Sequence, residues 1–191
     1  MNSSSRVSLT IEHDWKTTID KFHKLSKLEK SSTKVYNYGN SQHFDLGSLG
    51  NISKHSASEH WYRLSGSVLN KTMPWLTDML SVMQELKPNE GEISFIKGNG
   101  AAHIDLPHMQ TALNYIFYNS DSSAYTWIEH DGKKEIYVSE VNTAWLLDTQ
   151  KTHGIQNSGD RWTLSIHFNT DYKTAREWFD HHPNLKFGNK G

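Results

Sequence analysis

The chain contains no cysteine among its 191 residues. Disulfides, thiolate nucleophiles and cysteine-ligated zinc are therefore excluded, and any bound metal must be held by histidine and carboxylate side chains. Such ligands favour harder metals such as iron or manganese.

The chain also lacks an excess of charge and a long apolar run. Its formal net charge is -1 and its basic residues are scattered, so no footprint for a nucleic acid or an anionic membrane is present. The polar residues after Met1 do not resemble a signal peptide. We therefore expect a soluble, cytoplasmic protein that binds neither nucleic acid nor membranes, and the sequence leaves its oligomeric state open.

The length suits a single domain, residues 1–191, with one sizeable core. We divide it into a helical and loop N-terminal part (1–90), a strand-rich core (91–169) and a C-terminal helix with a tail (170–191). In the first part, Asp14 is expected to cap a helix. The segment Glu29 to Glu59 is predicted to be loop with short edge strands at Val35–Tyr38 and His43–Leu46.

A second helix is predicted from Thr72 to Leu86. Thr72 offers a cap, Pro74 fits the first turn, and the apolar residues form one stripe that favours packing against a sheet. The preceding stretch, Trp61 to Leu69, is ambiguous.

From Gly91 onward the pattern is typical of strands. The predicted strands are 92–97, 101–105, 111–119, 124–130, 134–141, 144–148 and 161–169, with a hairpin turn at Asp131-Gly132. We therefore predict a mainly β protein with flanking helices: a double-stranded β-helix, jelly roll or cupin-like, with helices packed on one sheet.

His103, Asp105 and His153 are the candidate metal ligands. His103 and Asp105 are two residues apart, so on an extended strand both side chains point to one face. His153 follows far enough along the chain to return on an adjacent strand. Two imidazoles and one carboxylate form the three-ligand face that non-haem Fe(II) uses, with positions left open for other ligands.

Arg161 is the candidate anion ligand. Along the last strand, Arg161, Thr163, Ser165 and His167 alternate with apolar residues, so one face is polar. That face either meets solvent or lines a cavity between the sheets. In a cavity, Arg161 would grip a carboxylate at two points and the Thr163 hydroxyl would add a third bond.

The order His103-x-Asp105, His153, Arg161-x-Thr163 resembles the Fe(II)- and 2-oxoglutarate-dependent dioxygenases, from about Gly91 to Phe168. Within that superfamily it most resembles the aspartyl/asparaginyl β-hydroxylase-like and proline hydroxylase branches. Arg161 follows His153 by eight residues, slightly closer than expected of the family. The strand after Asp105 carries Asn114 and Tyr115 where relatives often have a second arginine.

The resemblance implies that His103, Asp105 and His153 bind Fe(II), with no catalytic residue beyond these ligands. It implies that Arg161 and Thr163 bind 2-oxoglutarate, and we assign a further contact to Asn114, with Tyr115 as the alternative. The implied activity is hydroxylation of an amino acid, a peptidyl side chain or a small metabolite.

Two other interpretations stay open. A cupin-like metal enzyme would bind its substrate directly on the metal, with Arg161 holding the carboxylate of that substrate. A non-catalytic β-sandwich would serve as a binding module, with exposed histidines and no tight iron site.

Overall fold

The computed structural model describes residues 5–26, 34–38, 41–45, 51–55, 61–65, 67–89 and 91–188. Its strands are, in chain order, β1 (Arg6–Val7), β2 (Leu9–Glu12), β3 (Lys34–Tyr38), β4 (Ser41–Asp45), β5 (Asn51–His55), β6 (Trp61–Ser65), β7 (Glu92–Lys97), β8 (Gly100–His103), β9 (Thr111–Asn119), β10 (Tyr125–His130), β11 (Lys133–Val138), β12 (Thr143–Asp148), β13 (His153–Gln156), β14 (Asp160–Phe168) and β15 (Leu185–Gly188). Its α-helices are α1 (Trp15–Ser26), α2 (Ser67–Thr72), α3 (Trp75–Val82) and α4 (Tyr172–His181), and a 3-10 turn spans Gln84–Leu86.

The strands from β7 to β14 build a double-stranded β-helix, which confirms the predicted fold class. The major sheet has the order β1-β12-β9-β14-β7-β6-β5-β4-β3, and the minor sheet has the order β11-β10-β13-β8. The chain alternates between these sheets except at the β10–β11 hairpin, as a jelly roll requires. A separate parallel pair joins β15 to β2.

The helices pack on one face of the major sheet, as predicted. Trp162, Leu164 and Ile166 of β14 are at most 2% exposed and share one core with Met79 of α3 and Phe22 of α1. Burial of each such side chain contributes about 1.5–3 kcal/mol. The alternate residues of β14, from Arg161 to His167, face the space between the two sheets. The polar face of this strand therefore lines a cavity rather than the outer surface.

The predicted helix from Thr72 to Leu86 is interrupted. Helix α2 ends at Thr72, α3 begins after Pro74, and the 3-10 turn follows. Pro74 lacks an N–H group and occupies the N-cap of α3, where no side chain caps the helix. Thr72 is therefore not the cap that we predicted, and its hydroxyl accepts a hydrogen bond from Lys21 Nζ instead (2.6 Å).

Asp14 does cap α1, since its Oδ1 accepts a hydrogen bond from the Thr17 N–H (3.0 Å).

The segment predicted to be loop with edge strands carries more sheet than expected. Strands β3 and β4 lie close to the two predicted edge strands, and β5 and β6 continue the same antiparallel meander into the major sheet. Strand β5 carries only one apolar side chain, Ile52, so no alternation marked it in the sequence. The remainder of Glu29 to Glu59 lies outside the described residues.

The strand-rich core is closer to prediction. Strands β7 and β9 have the predicted bounds, and β10, β11, β12 and β14 differ only at their ends. The hairpin turn is present, with left-handed φ angles at Asp131 (51°) and Gly132 (72°). Strands β13 and β15 were not predicted. No helix among the described residues is long and apolar enough to cross a membrane.

Candidate metal centre and anion site

His103, Asp105 and His153 come together at the edge of the minor sheet. His103 ends β8, His153 begins β13, and the two residues are paired partners in the sheet, with ring centroids 4.3 Å apart. We predicted that Asp105 lies on the same strand as His103, but β8 ends at His103 and Asp105 lies just beyond it. Its backbone N–H donates to the carbonyl of Thr149 (3.0 Å), which holds the carboxylate beside the two imidazoles.

The potential ligand atoms of these three residues all lie within 4.8 Å of one another. The Nε2 atoms of His103 and His153 are 3.4 and 3.8 Å from Asp105 Oδ1. This spacing leaves room for one ion between the three atoms. The structure therefore brings the three predicted ligands together, and their role as metal ligands stays a prediction.

The second nitrogen of each ring determines which atom carries the proton. His103 Nδ1 is 2.8 Å from the Ala101 carbonyl, and His153 Nδ1 is 2.9 Å from the Lys151 carbonyl. A carbonyl oxygen only accepts, so each Nδ1 must be the donor. In the neutral imidazoles, both Nε2 lone pairs therefore point towards the carboxylate. Three acceptors that converge in this way require a cation between them, either protons or a metal ion.

The pKa shifts of Asp105 and His153 favour the protonation states that bind a cation. Burial raises the pKa of Asp105, but contacts with His103 and His167 and the nearby His153 outweigh it, so the pKa lies well below its ordinary value. Burial lowers the pKa of His153, and the contact with the Lys151 carbonyl offsets this only in part. An ionised carboxylate and a neutral imidazole are the protonation states in which these groups bind metals.

Arg161 is a buried cation with no acidic partner in the part of the chain that the structure describes. Its side chain is 2% exposed, Nη2 donates to Thr126 Oγ1 (3.2 Å), and Nε is buried with no hydrogen-bond partner among the described residues. Burial lowers the pKa of Arg161 to about 10, so the guanidinium remains charged at neutral pH. Within the same residues, no carboxylate pairs with it. Such a group is suited to bind an anion that enters the cavity.

Thr163 and Asn114 lie on the same cavity wall. Thr163 is 5% exposed and follows Arg161 on the inner face of β14, and Asn114 of β9 is the register partner of Ser165. Neither side chain makes a hydrogen bond within the described part of the chain. Both are therefore available to a ligand, whereas Tyr115, the alternative to Asn114, is buried in the core on the helix side.

One cavity between the sheets contains the whole site. It measures about 610 Å³ including its open mouth. The three candidate metal ligands and Arg161 all line it. Ile96, Leu147 and Ile155 form its apolar walls. Five aromatic residues of the neighbouring strands do not line it: Tyr115, Tyr118, Tyr125, Trp127 and Trp145.

Thr126 and His167 contact the predicted site residues, although the sequence assigned neither of them a role there. Thr126 orients Arg161 from the opposite sheet, and His167 Nε2 lies 3.5 Å from Asp105 Oδ2. His167 was recognisable only as a member of the polar face of β14. Its contact with Asp105 depends on the fold of the loop after β8, for which the sequence carries no signal.

The fold and the site together define a double-stranded β-helix protein with a candidate metal centre and a candidate anion site. No protein-family model matches the chain, and no curated protein matches it.

Solved structures with the same type of fold are distant. A prolyl hydroxylase from Trichoplax adhaerens, in complex with a peptide fragment of the hypoxia inducible factor oxygen degradation domain, is 9% identical, with a TM-score of 0.49 over 85% of this chain and 81% of its own. An oxidoreductase of the 2OG-Fe(II) oxygenase family from Burkholderia pseudomallei is 10% identical, with a TM-score of 0.42 and 81% of each chain covered. A cupin superfamily protein from Desulfitobacterium hafniense is 16% identical, with a TM-score of 0.30 over 43% of this chain and 67% of its own. At such distances the function has to be argued from the residues of the cavity.

Proposed function

We propose that this protein is an Fe(II)- and 2-oxoglutarate-dependent oxygenase that hydroxylates an amino acid, a peptidyl side chain or a small metabolite. The observation that carries the proposal is the presence, in one cavity, of three convergent potential ligand atoms and a buried guanidinium that no carboxylate of the described residues pairs with. The three ligand atoms would bind a cation, and the guanidinium would bind an anion. A co-substrate that chelates a metal through one end and carries a carboxylate at the other fits both.

The donor set suits iron. Two imidazole nitrogens and one carboxylate oxygen match non-haem Fe(II), and three ligands leave three positions of an octahedron open. His103, Asp105 and His153 would hold the metal. When bound, Fe(II) and 2-oxoglutarate supply an oxidation by O₂ that gives succinate, carbon dioxide and a hydroxyl group in place of a substrate hydrogen.

Other residues of the cavity would bind and orient 2-oxoglutarate. Arg161 would grip the distal carboxylate of 2-oxoglutarate through two parallel N–H groups, and the Thr163 hydroxyl would donate a third bond. Thr126 fixes the guanidinium from the opposite sheet. Asn114 would give a further contact to the co-substrate. The apolar walls at Leu147 and Ile155 limit access of water to the reacting centre.

Iron content and 2-oxoglutarate turnover test the proposal. The wild-type protein, purified without oxygen, should contain iron and should release succinate from 2-oxoglutarate when a panel of amino acids, peptides and metabolites is supplied. His103→Ala and Asp105→Ala should lose most of the iron while the fold persists, because the major sheet and the helices share a core that contains neither side chain. His108→Ala, an exposed histidine three residues from Asp105, is the matched control and should keep both properties.

A second variant tests the anion site. Arg161→Lys should weaken 2-oxoglutarate binding by about 1.5–3 kcal/mol, because an ammonium cannot reproduce the two-donor geometry. Iron without any turnover of 2-oxoglutarate would favour the cupin-like enzyme instead. If the wild-type protein binds no iron, the interpretation that remains is the non-catalytic binding module.

A further inference from the structure

His167 is a third histidine at the site, and like His153 it is buried. Its side chain lies on the inner face of β14 and the residue is 7% exposed. The backbone of His167 is fixed by Asn89: the N–H donates to Asn89 Oδ1 (3.0 Å), and the carbonyl accepts from the Asn89 N–H (2.8 Å). The imidazole therefore occupies a defined position relative to Asp105.

The proton on His167 must be placed differently from those on His103 and His153. Its Nδ1 is buried and has no hydrogen-bond partner among the described residues, so no carbonyl holds a proton there. Its Nε2 lies 3.5 Å from Asp105 Oδ2, an acceptor. The neutral ring therefore carries its proton on Nε2 and directs it at the carboxylate. A nitrogen that carries a proton cannot bind a metal ion.

The two oxygens of Asp105 face different partners. Oδ1 faces the Nε2 atoms of His103 and His153, whereas Oδ2 faces His167. The set of mutually close ligand atoms contains the first two histidines and not His167. An N–H donor on Oδ2 keeps that oxygen away from a metal bound at Oδ1.

We propose that His167 is a positioning residue that holds Asp105 as a one-oxygen ligand. This inference rests on the proposed function, because it concerns how the metal would be bound. Three positions of an octahedral metal must stay open if a co-substrate occupies two of them and O₂ the third. A carboxylate that bound through both oxygens would fill one of these positions. His167 thus preserves the open position by placing an N–H donor beside the second oxygen, with 3.5 Å between Nε2 and Oδ2.

Co(II) binding to the metal-free protein tests the inference without measuring activity. His167→Leu removes the donor with little change in volume, and it should weaken Co(II) binding by about 10- to 100-fold, the usual effect of losing a partner that orients a ligand. The visible absorption of bound Co(II) should also change, because Oδ2 would take the place of a water molecule on the metal. His167→Gln restores an N–H donor and should recover most of the affinity and the wild-type spectrum.

His130→Leu is the matched control. His130 is exposed and pairs with Asp131 on the β10–β11 hairpin, so its loss should leave Co(II) binding unchanged. Circular dichroism melts verify that each variant is folded, and the Gln variant distinguishes loss of the donor from loss of packing.

X-ray absorption of the Co(II) protein counts the bound imidazoles. The inference expects two imidazoles both in the wild type and in His167→Leu. A count of three imidazoles in the wild type that falls to two in His167→Leu would make His167 a metal ligand and overturn the inference. Wild-type Co(II) affinity and a wild-type spectrum in His167→Leu would overturn it as well. Wild-type protein that binds no Co(II) would refute the proposed metal site itself, and the role of His167 with it.

Discussion

Removal of the Arg161 charge should stabilise the ligand-free protein while it abolishes 2-oxoglutarate binding. Burial lowers the pKa of Arg161 to about 10, well below the ordinary value of an arginine. At 1.36 kcal/mol per pKa unit, this places the penalty on the charged form at about 3 kcal/mol. Replacement even of a buried ion pair by apolar groups of similar volume is often neutral or stabilising by about 1–4 kcal/mol, a range that includes this magnitude. Arg161→Met keeps an unbranched side chain and removes the charge.

The net gain is smaller because Thr126 loses its donor. That hydrogen bond contributes about 0.5–1.5 kcal/mol. We therefore expect Arg161→Met to be more stable by about 2 kcal/mol, and to melt about 4–8 °C above wild type in the metal-free protein. Arg6→Met is the matched control: Arg6 is exposed and its ion pair with Glu140 is long (3.8 Å), so its Tm should change little.

Addition of ligand should reverse the order of the two proteins. With Mn(II) as a redox-inert metal and 2-oxoglutarate at 100 times its Kd, the wild type should gain about 2.7 kcal/mol. Arg161→Met should gain no more from the pair than from Mn(II) alone. A variant that melts below wild type without ligand, or equal stabilisation of both proteins by 2-oxoglutarate, would refute this prediction.

Two further predictions concern the core on the helix side. Burial lowers the pKa of His13, and the nearby Asp14 offsets this only in part, so below pH 6.5 the unfolded chain takes up a proton that the folded protein does not. The free energy of unfolding should therefore fall as the pH drops from 6.5 towards the pKa of His13 in the folded protein. In urea melts over that range, the difference in this free energy between wild type and His13→Gln should shrink. A difference that stays constant would contradict the prediction. Met79→Ala should lower the free energy of unfolding by about 2–5 kcal/mol, because Met79 is fully buried. Val82→Ala, 47% exposed on the same helix, should change it far less, and equal losses would refute the assignment of the core face.

The strand-rich core could be predicted because its signals are local. Strands β7 and β9 are bounded by turn residues, and the left-handed conformation at Asp131-Gly132 is one that this dipeptide favours. The break at Pro74 was misjudged because proline is compatible both with the first turn of a longer helix and with a cap. Strand β13 was missed because its four residues, which begin with His153-Gly154, show no alternation. It forms through pairing with β8 and β10, which no local pattern encodes.

The grouping of the candidate site could also be predicted, but the separate roles of its histidines could not. A contact between Nδ1 and a carbonyl does not identify a metal ligand, since the exposed His181 and His182 make the same contact with the preceding helical turn. At His13 the relation is reversed: the Trp75 indole donates to Nδ1, and Nε2 is left to donate to Thr18.

A histidine is prepared to bind a metal when Nδ1 is held by an acceptor and Nε2 converges with other lone pairs. His103 and His153 meet both conditions, and His167 fails the first because its Nδ1 has no partner among the described residues. These conditions depend on backbone carbonyls and on neighbouring strands. The sequence could therefore identify the residues that meet at the cavity, whereas the position of each proton required the three-dimensional structure.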